Sequence, residues 1–79
     1  MNDQKVQILI ERYAGNKEEQ TNILNDLSLQ NRQLRKSMRK HKKLGNTKIV
    51  ETLDNQIYEN MDLQSRLQWG WVYLEAEIK

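Results

Sequence analysis

Residues 24–48 read LNDLSLQNRQLRKSMRKHKKLGNTK, and their spacing decides the fold. Leu24, Leu27, Asn31, Leu34, Met38 and His41 recur at three- and four-residue intervals. That is the seam of a helix packed lengthwise in coiled-coil fashion, with two polar interruptions. On the opposite side lie Arg32, Arg35, Lys36, Arg39, Lys40, Lys42, Lys43 and, just past the turn, Lys48, with no acid anywhere in 32–48. At about 100° per residue the basic residues take roughly half the helix circumference, and Leu34, Met38, His41 and Leu44 take the other half.

Working toward the N-terminus, Asn16 followed by Glu19 resembles a capping box, and acidic Glu18 and Glu19 suit the positive end of a helix dipole. The helix therefore runs from about 17 to 44, roughly 42 Å at 1.5 Å per residue. Before it, Val6, Leu9, Ile10 and Tyr13 line one face of a shorter helix over about 3–13, capped by Asn2 or Asp3 and stopped by Gly15. Working toward the C-terminus, Gly45-Asn46-Thr47 is a compact link, with glycine closing one helix and Thr47 capping the next. The third helix, about 48–78, has its seam at Val50, Leu53, Ile57, Asn60 or Met61, Gln64, Leu67, Trp71, Leu74 and Ile78.

Two long helices of matched length on a three-residue link fold back as an antiparallel hairpin. The expected fold is all-α: one helical domain over 1–79, a short N-terminal helix plus the hairpin. Gly70 is its weak point, since a mid-helix glycine costs about 1 kcal/mol against alanine. A kink, a stop, or a short strand over 71–74 is the expectation there. Ile23, Leu29, Ile49, Tyr58, Leu63, Trp69, Val72 and Tyr73 lie beside the two seams. The first helix covers some of them and a second copy the rest, so a dimeric bundle is the economical arrangement. The oligomer interface is expected to draw on Leu24, Leu27, Asn31, Leu34, Met38, Leu53, Ile57, Trp69, Trp71 and Tyr73. Asn31 is read as a register device, and His41 as a half-buried residue at the end of the core.

Composition narrows the class. A chain of 79 residues buries only roughly 60–65% of its unfolded surface, so it needs a staple or a partner. Cysteine is absent and histidine occurs once, which excludes disulfides and a closed zinc site of Cys and His ligands. No apolar run approaches the length of a membrane span, and the start of the chain lacks a signal-peptide pattern. A cytoplasmic protein is expected. No phosphate-binding loop, nucleophile elbow or metal-ligand spacing occurs, and a narrow bundle offers no pocket to shift carboxylate pKa values apart, so neither enzyme activity nor a cofactor is expected.

The net charge of +2 hides an uneven distribution: −2 over residues 1–31, +8 over 32–48 and −4 over 49–79. Seven like charges on one helix face call for compensation by the acidic third helix, by a protein, or by a polyanion. A nucleic acid is the leading expectation, because phosphates are dense and each cationic contact releases counterions. The phosphate-binding set would be Arg32, Arg35, Lys36, Arg39, Lys40, Lys42, Lys43 and Lys48, with little base readout. Internal pairing with Glu51, Asp54, Glu59 and Asp62 competes with it, at only about 0–1 kcal/mol per exposed pair. The alternative function is a protein-binding adaptor, inhibitor or assembly factor, of a size met in phages and mobile elements. It would act through the hairpin face and the segment Trp69–Leu74. Packing of Trp69, Val72 and Tyr73 on the first helix is the plainer expectation for that segment.

Overall fold

The computed structural model describes residues 3–78, which form three helices in the order α1 (Asp3–Arg12), α2 (Lys17–Lys43) and α3 (Thr47–Ile78). The cap at Asn2 and the seam contact of Ile78 lie outside the residues whose side chains are described. α2 and α3 run antiparallel as the hairpin, and α1 lies along α3 rather than α2. The molecule is a rod with extents of 52 × 22 × 15 Å.

Each chain reversal has a local cause. Asn16 Oδ1 accepts from the Glu19 N–H at 3.2 Å and so caps α2. At the other end Gly45 takes φ +77. The Gly45 N–H donates to Lys42 O, and the Asn46 N–H to His41 O. That pair of bonds is the Schellman arrangement, in which a left-handed glycine lets the chain fold back over the last carbonyls. α3 begins one residue earlier than expected. The Asn46 carbonyl accepts from the Val50 N–H, so Asn46 stands at the cap and Thr47 is already helical.

The hairpin seam follows the heptad spacing. Leu27, Asn31, Ile57, Leu67 and Trp71 are buried, and Leu24, Leu34, Met38, His41, Val50, Leu53, Gln64 and Leu74 are half-buried beside them. At the ambiguous seam position it is Asn60 that turns inward, while Met61 is exposed. Its Nδ2 donates to Asn31 Oδ1 at 3.0 Å. One turn on, Gln64 Nε2 donates to Leu24 O at 3.0 Å and to Ser28 Oγ at 2.8 Å. A shift of one turn between the helices would set Asn60 against Leu27 or Leu34, so the polar layer favours this register.

α3 runs through Gly70 as continuous helix to Ile78, with neither a stop nor a strand over 71–74. The reason for a glycine there is α1. A Cβ on residue 70 would fall 2.8 Å from Ile10 Cγ1 and closer still to Cδ1. Ile10 nests into the notch, and Trp71 beside it donates from Nε1 to Ile10 O at 3.1 Å. That carbonyl sits in the last turn of α1, where it has no partner within its own helix. Val6, Ile10, Leu27, Leu67 and Trp71 form one core cluster at this end of the rod. Gly70→Ala is therefore expected to destabilise the chain: overpacking by about 1–3 kcal/mol outweighs about 1 kcal/mol gained in helix propensity. In an Ile10→Ala background the same substitution should stabilise. Urea melts of the four-member cycle test this, and an unchanged sign in both backgrounds would remove the notch as the explanation.

A second lock closes the same end. Glu75 accepts from Lys17 Nζ at 2.7 Å, Gln20 Nε2 at 3.0 Å and the Gly15 N–H at 3.1 Å. Buried Gln20 also donates to Tyr13 O at 2.7 Å. The bond from Lys17, then that from Gln20, hold the Glu75 carboxyl down from an ordinary 4.5 to about 2. Between those values the unfolded chain binds the proton and the folded chain does not. Stability from this group is thus complete above about pH 4.5 and is lost as pH falls through about 2. Urea midpoints followed from pH 6 to pH 2 should fall less steeply in Glu75→Gln than in the parent; parallel curves would rule the lock out as a source of acid sensitivity.

Candidate nucleic-acid interface

The last three turns of α2 set up the surface. Because Leu34, Met38 and His41 are turned toward α3, the periodicity of the helix turns Lys36, Lys40 and Lys43 away from it and leaves Arg32, Arg35, Arg39 and Lys42 between the two sides. All seven, and Lys48 across the turn, are exposed. Their Cα atoms from 32 to 43 span roughly 17 Å of helix, about five phosphate spacings along one strand of duplex.

Two shallow grooves divide the surface. Arg32, Arg35 and Arg39 border one with Asn31, Gln64 and Met61, along the edge between the two long helices. Lys36, Arg39, Lys40, Lys42, Lys43 and Leu44 line the other, next to the turn. Arg39 belongs to both. The three guanidiniums share a groove edge with neutral amides rather than carboxylates. The sequence signal for this was available: Arg32, Arg35 and Arg39 flank the seam, where the groove between paired helices runs.

The acids of α3 do not neutralise this face. Among the described residues the ion pairs are Lys17–Glu75, Arg66–Asp62 and Arg66–Asp3, and none involves residues 32–48. Asp62 is taken by Arg66 at 2.9 Å. Glu51, Asp54 and Glu59 make no ion pair with the basic side chains, so the cations are left to solvent or to a partner.

The residues expected at an oligomer interface separate into two groups. Leu27, Asn31, Ile57 and Trp71 are buried within the single chain, and Leu24, Leu34, Met38 and Leu53 are half-buried along its own seam. Trp69 and Tyr73 are 57% and 64% exposed, with ring centroids 6.0 Å apart. The packing of Trp69, Val72 and Tyr73 on α1 does not occur. Trp71 takes that place, because Trp71 and Gly70, unlike Trp69, Val72 and Tyr73, lie on the side of α3 that α1 covers.

No group of three or more His, Cys, Asp or Glu side chains that could hold a metal ion occurs among the described residues. No helix among them is long and apolar enough to cross a membrane. Comparison with known protein families, with curated proteins and with solved structures gives no match.

Proposed function

We propose that this chain is a small, non-enzymatic cytoplasmic protein that docks on nucleic-acid phosphates through the basic end of its hairpin. The observation that carries the reading is the unpaired cationic face. Eight Lys and Arg side chains in 17 residues stand exposed and, among the described residues, without an acid partner, beside a helix that could have supplied one. Like charges held on a rigid helix repel one another, and release of counterions from a polyanion is the interaction that rewards such an arrangement. Arg32, Arg35 and Arg39 would grip phosphates through paired N–H groups, and Lys36, Lys40, Lys42, Lys43 and Lys48 would act as point charges. Nothing in the face is arranged to read base edges, so binding should be nearly indifferent to sequence.

The test is binding to labelled duplex and single-stranded oligonucleotides across a salt series. About five engaged phosphates give a log–log slope near −4.5 on duplex, and a loss of roughly 500-fold in affinity between 50 and 200 mM salt. Absence of binding at 50 mM salt would sink the reading. A second reading, in which the chain acts on a protein as adaptor, inhibitor or assembly factor, is favoured by one observation: Trp69 and Tyr73 stand exposed side by side, and such residues anchor protein contacts. Self-association belongs to both readings, since a chain of this size with so much exposed apolar surface gains from a second copy.

A further inference from the structure

Tyr58, Met61, Trp69 and Val72 are each between 46% and 64% exposed on α3. At about 100° per residue they fall, together with exposed Ser65, in one stripe. The stripe points away from the seam that meets α2, from Gly70, which faces α1, and from Leu63 and Leu74, which pack on the core cluster. It is a second seam on the same helix, and nothing among the described residues covers it. Its spacing is three, four, four, three, so it reads the same in both directions about Ser65.

We infer that this stripe pairs with its counterpart in a second copy of the chain, antiparallel, about a two-fold axis through Ser65. Tyr58 then meets Val72 of the other copy, Met61 meets Trp69, and the small serine sits where the helices come closest. Each large residue faces one of different shape, as interdigitation requires. A parallel pairing would set identical residues against each other and would be resisted by charge. The turn end of the rod carries the +8 of residues 32–48, and the far end is acidic, with Glu11, Glu18, Glu19, Glu75 and Glu77 against Arg12 and Lys17, a net −3 over residues 11–19 and 75–78. Running the copies in opposite directions brings each basic end beside an acidic end, whereas a parallel pair would crowd sixteen cations at one end. Lys36, Lys40 and Lys43, on the far side of α2, stay open, while Met61 brings the second copy to the edge of the groove that Arg32, Arg35 and Arg39 border. The two turns at Gly45 come to lie roughly 60 Å apart along the axis. This inference rests on the self-association in the proposed reading and not on nucleic-acid binding, so a failed oligonucleotide experiment leaves it standing.

Sedimentation equilibrium of the full chain tests the pairing, and disulfide trapping tests its direction, helped by a sequence without cysteine. Ser65→Cys should cross-link to itself under mild oxidation. Asp54 and Ala76 are exposed and equidistant from Ser65 in sequence. Asp54→Cys mixed with Ala76→Cys should therefore form a mixed disulfide, while neither cross-links to itself. Trp69→Ala should weaken the dimer thirtyfold or more with helicity retained, as loss of a central aromatic anchor does. A monomer at every concentration, self-linking of Ala76→Cys, or a dimer indifferent to Trp69→Ala would each overturn the inference.

Discussion

Replacing Trp71 with alanine is expected to leave most of the chain unfolded at room temperature. The indole is 2% exposed, touches both α1 and the hairpin core, and supplies the partner for Ile10 O. Truncating a buried tryptophan costs about 3–5 kcal/mol. A single core in a chain of this size rarely supplies more than about 3–5 kcal/mol in total. The loss therefore matches the whole stability. Trp69 is the internal control, being the same residue type two positions away but 57% exposed. At concentrations low enough to hold the chain monomeric, Trp69→Ala should shift the urea midpoint by no more than about 0.5 kcal/mol equivalent. Far-UV circular dichroism through a urea series measures both, and equal stability of the two variants would contradict the placement of Trp71 at the root of the rod.

The second large effect concerns the basic face. Substituting Arg35, Lys36, Arg39 and Lys40 with glutamate is expected to abolish oligonucleotide binding at 50 mM salt. Four phosphate contacts disappear, which removes about 3.6 from the slope of log affinity against log salt, and four repulsive carboxylates take their place. The fold should survive, because all four side chains are exposed and none holds an ion pair. Relief of repulsion along the helix face should even raise its thermal midpoint slightly. Binding that persists in this variant, with its helicity intact, would move the contact elsewhere on the molecule.

How far the sequence led depended on the range of the interaction. The hairpin seam was legible because heptad spacing is a local property: Leu27, Asn31, Ile57 and Leu67 each fell where the period put them. The caps at Asn16 and Gly45 were legible for the same reason. Asn46 and Thr47 are both good caps in adjacent positions, and their order could not be read without the backbone. Gly70 was misread as a weakness, because propensity weighs only its own helix while its purpose lies in Ile10, 60 residues away. The bonds of Glu75 to Gly15, Lys17 and Gln20 were hidden likewise. In the candidate site, the cluster of cations was plain in the sequence, but their freedom from Glu51, Asp54 and Glu59 was not. The outer stripe of α3 escaped because Met61 competed with Asn60 for the inner seam, and one residue of phase divides the two faces.

The docking of α1 against Gly70 and Trp71 also has a bearing on the order of events at the ribosome. A ten-residue helix is marginal in water on its own. Its resting place is encoded about 60 residues downstream, so at roughly 5–20 residues per second the first helix waits about 3–12 s for it. During that interval the face of α3 on which Val6 and Ile10 come to rest does not yet exist, while α2 can already wind. Of the three helices, the one made first is thus the one whose position is settled last, and α3 must be in place before α1 is held.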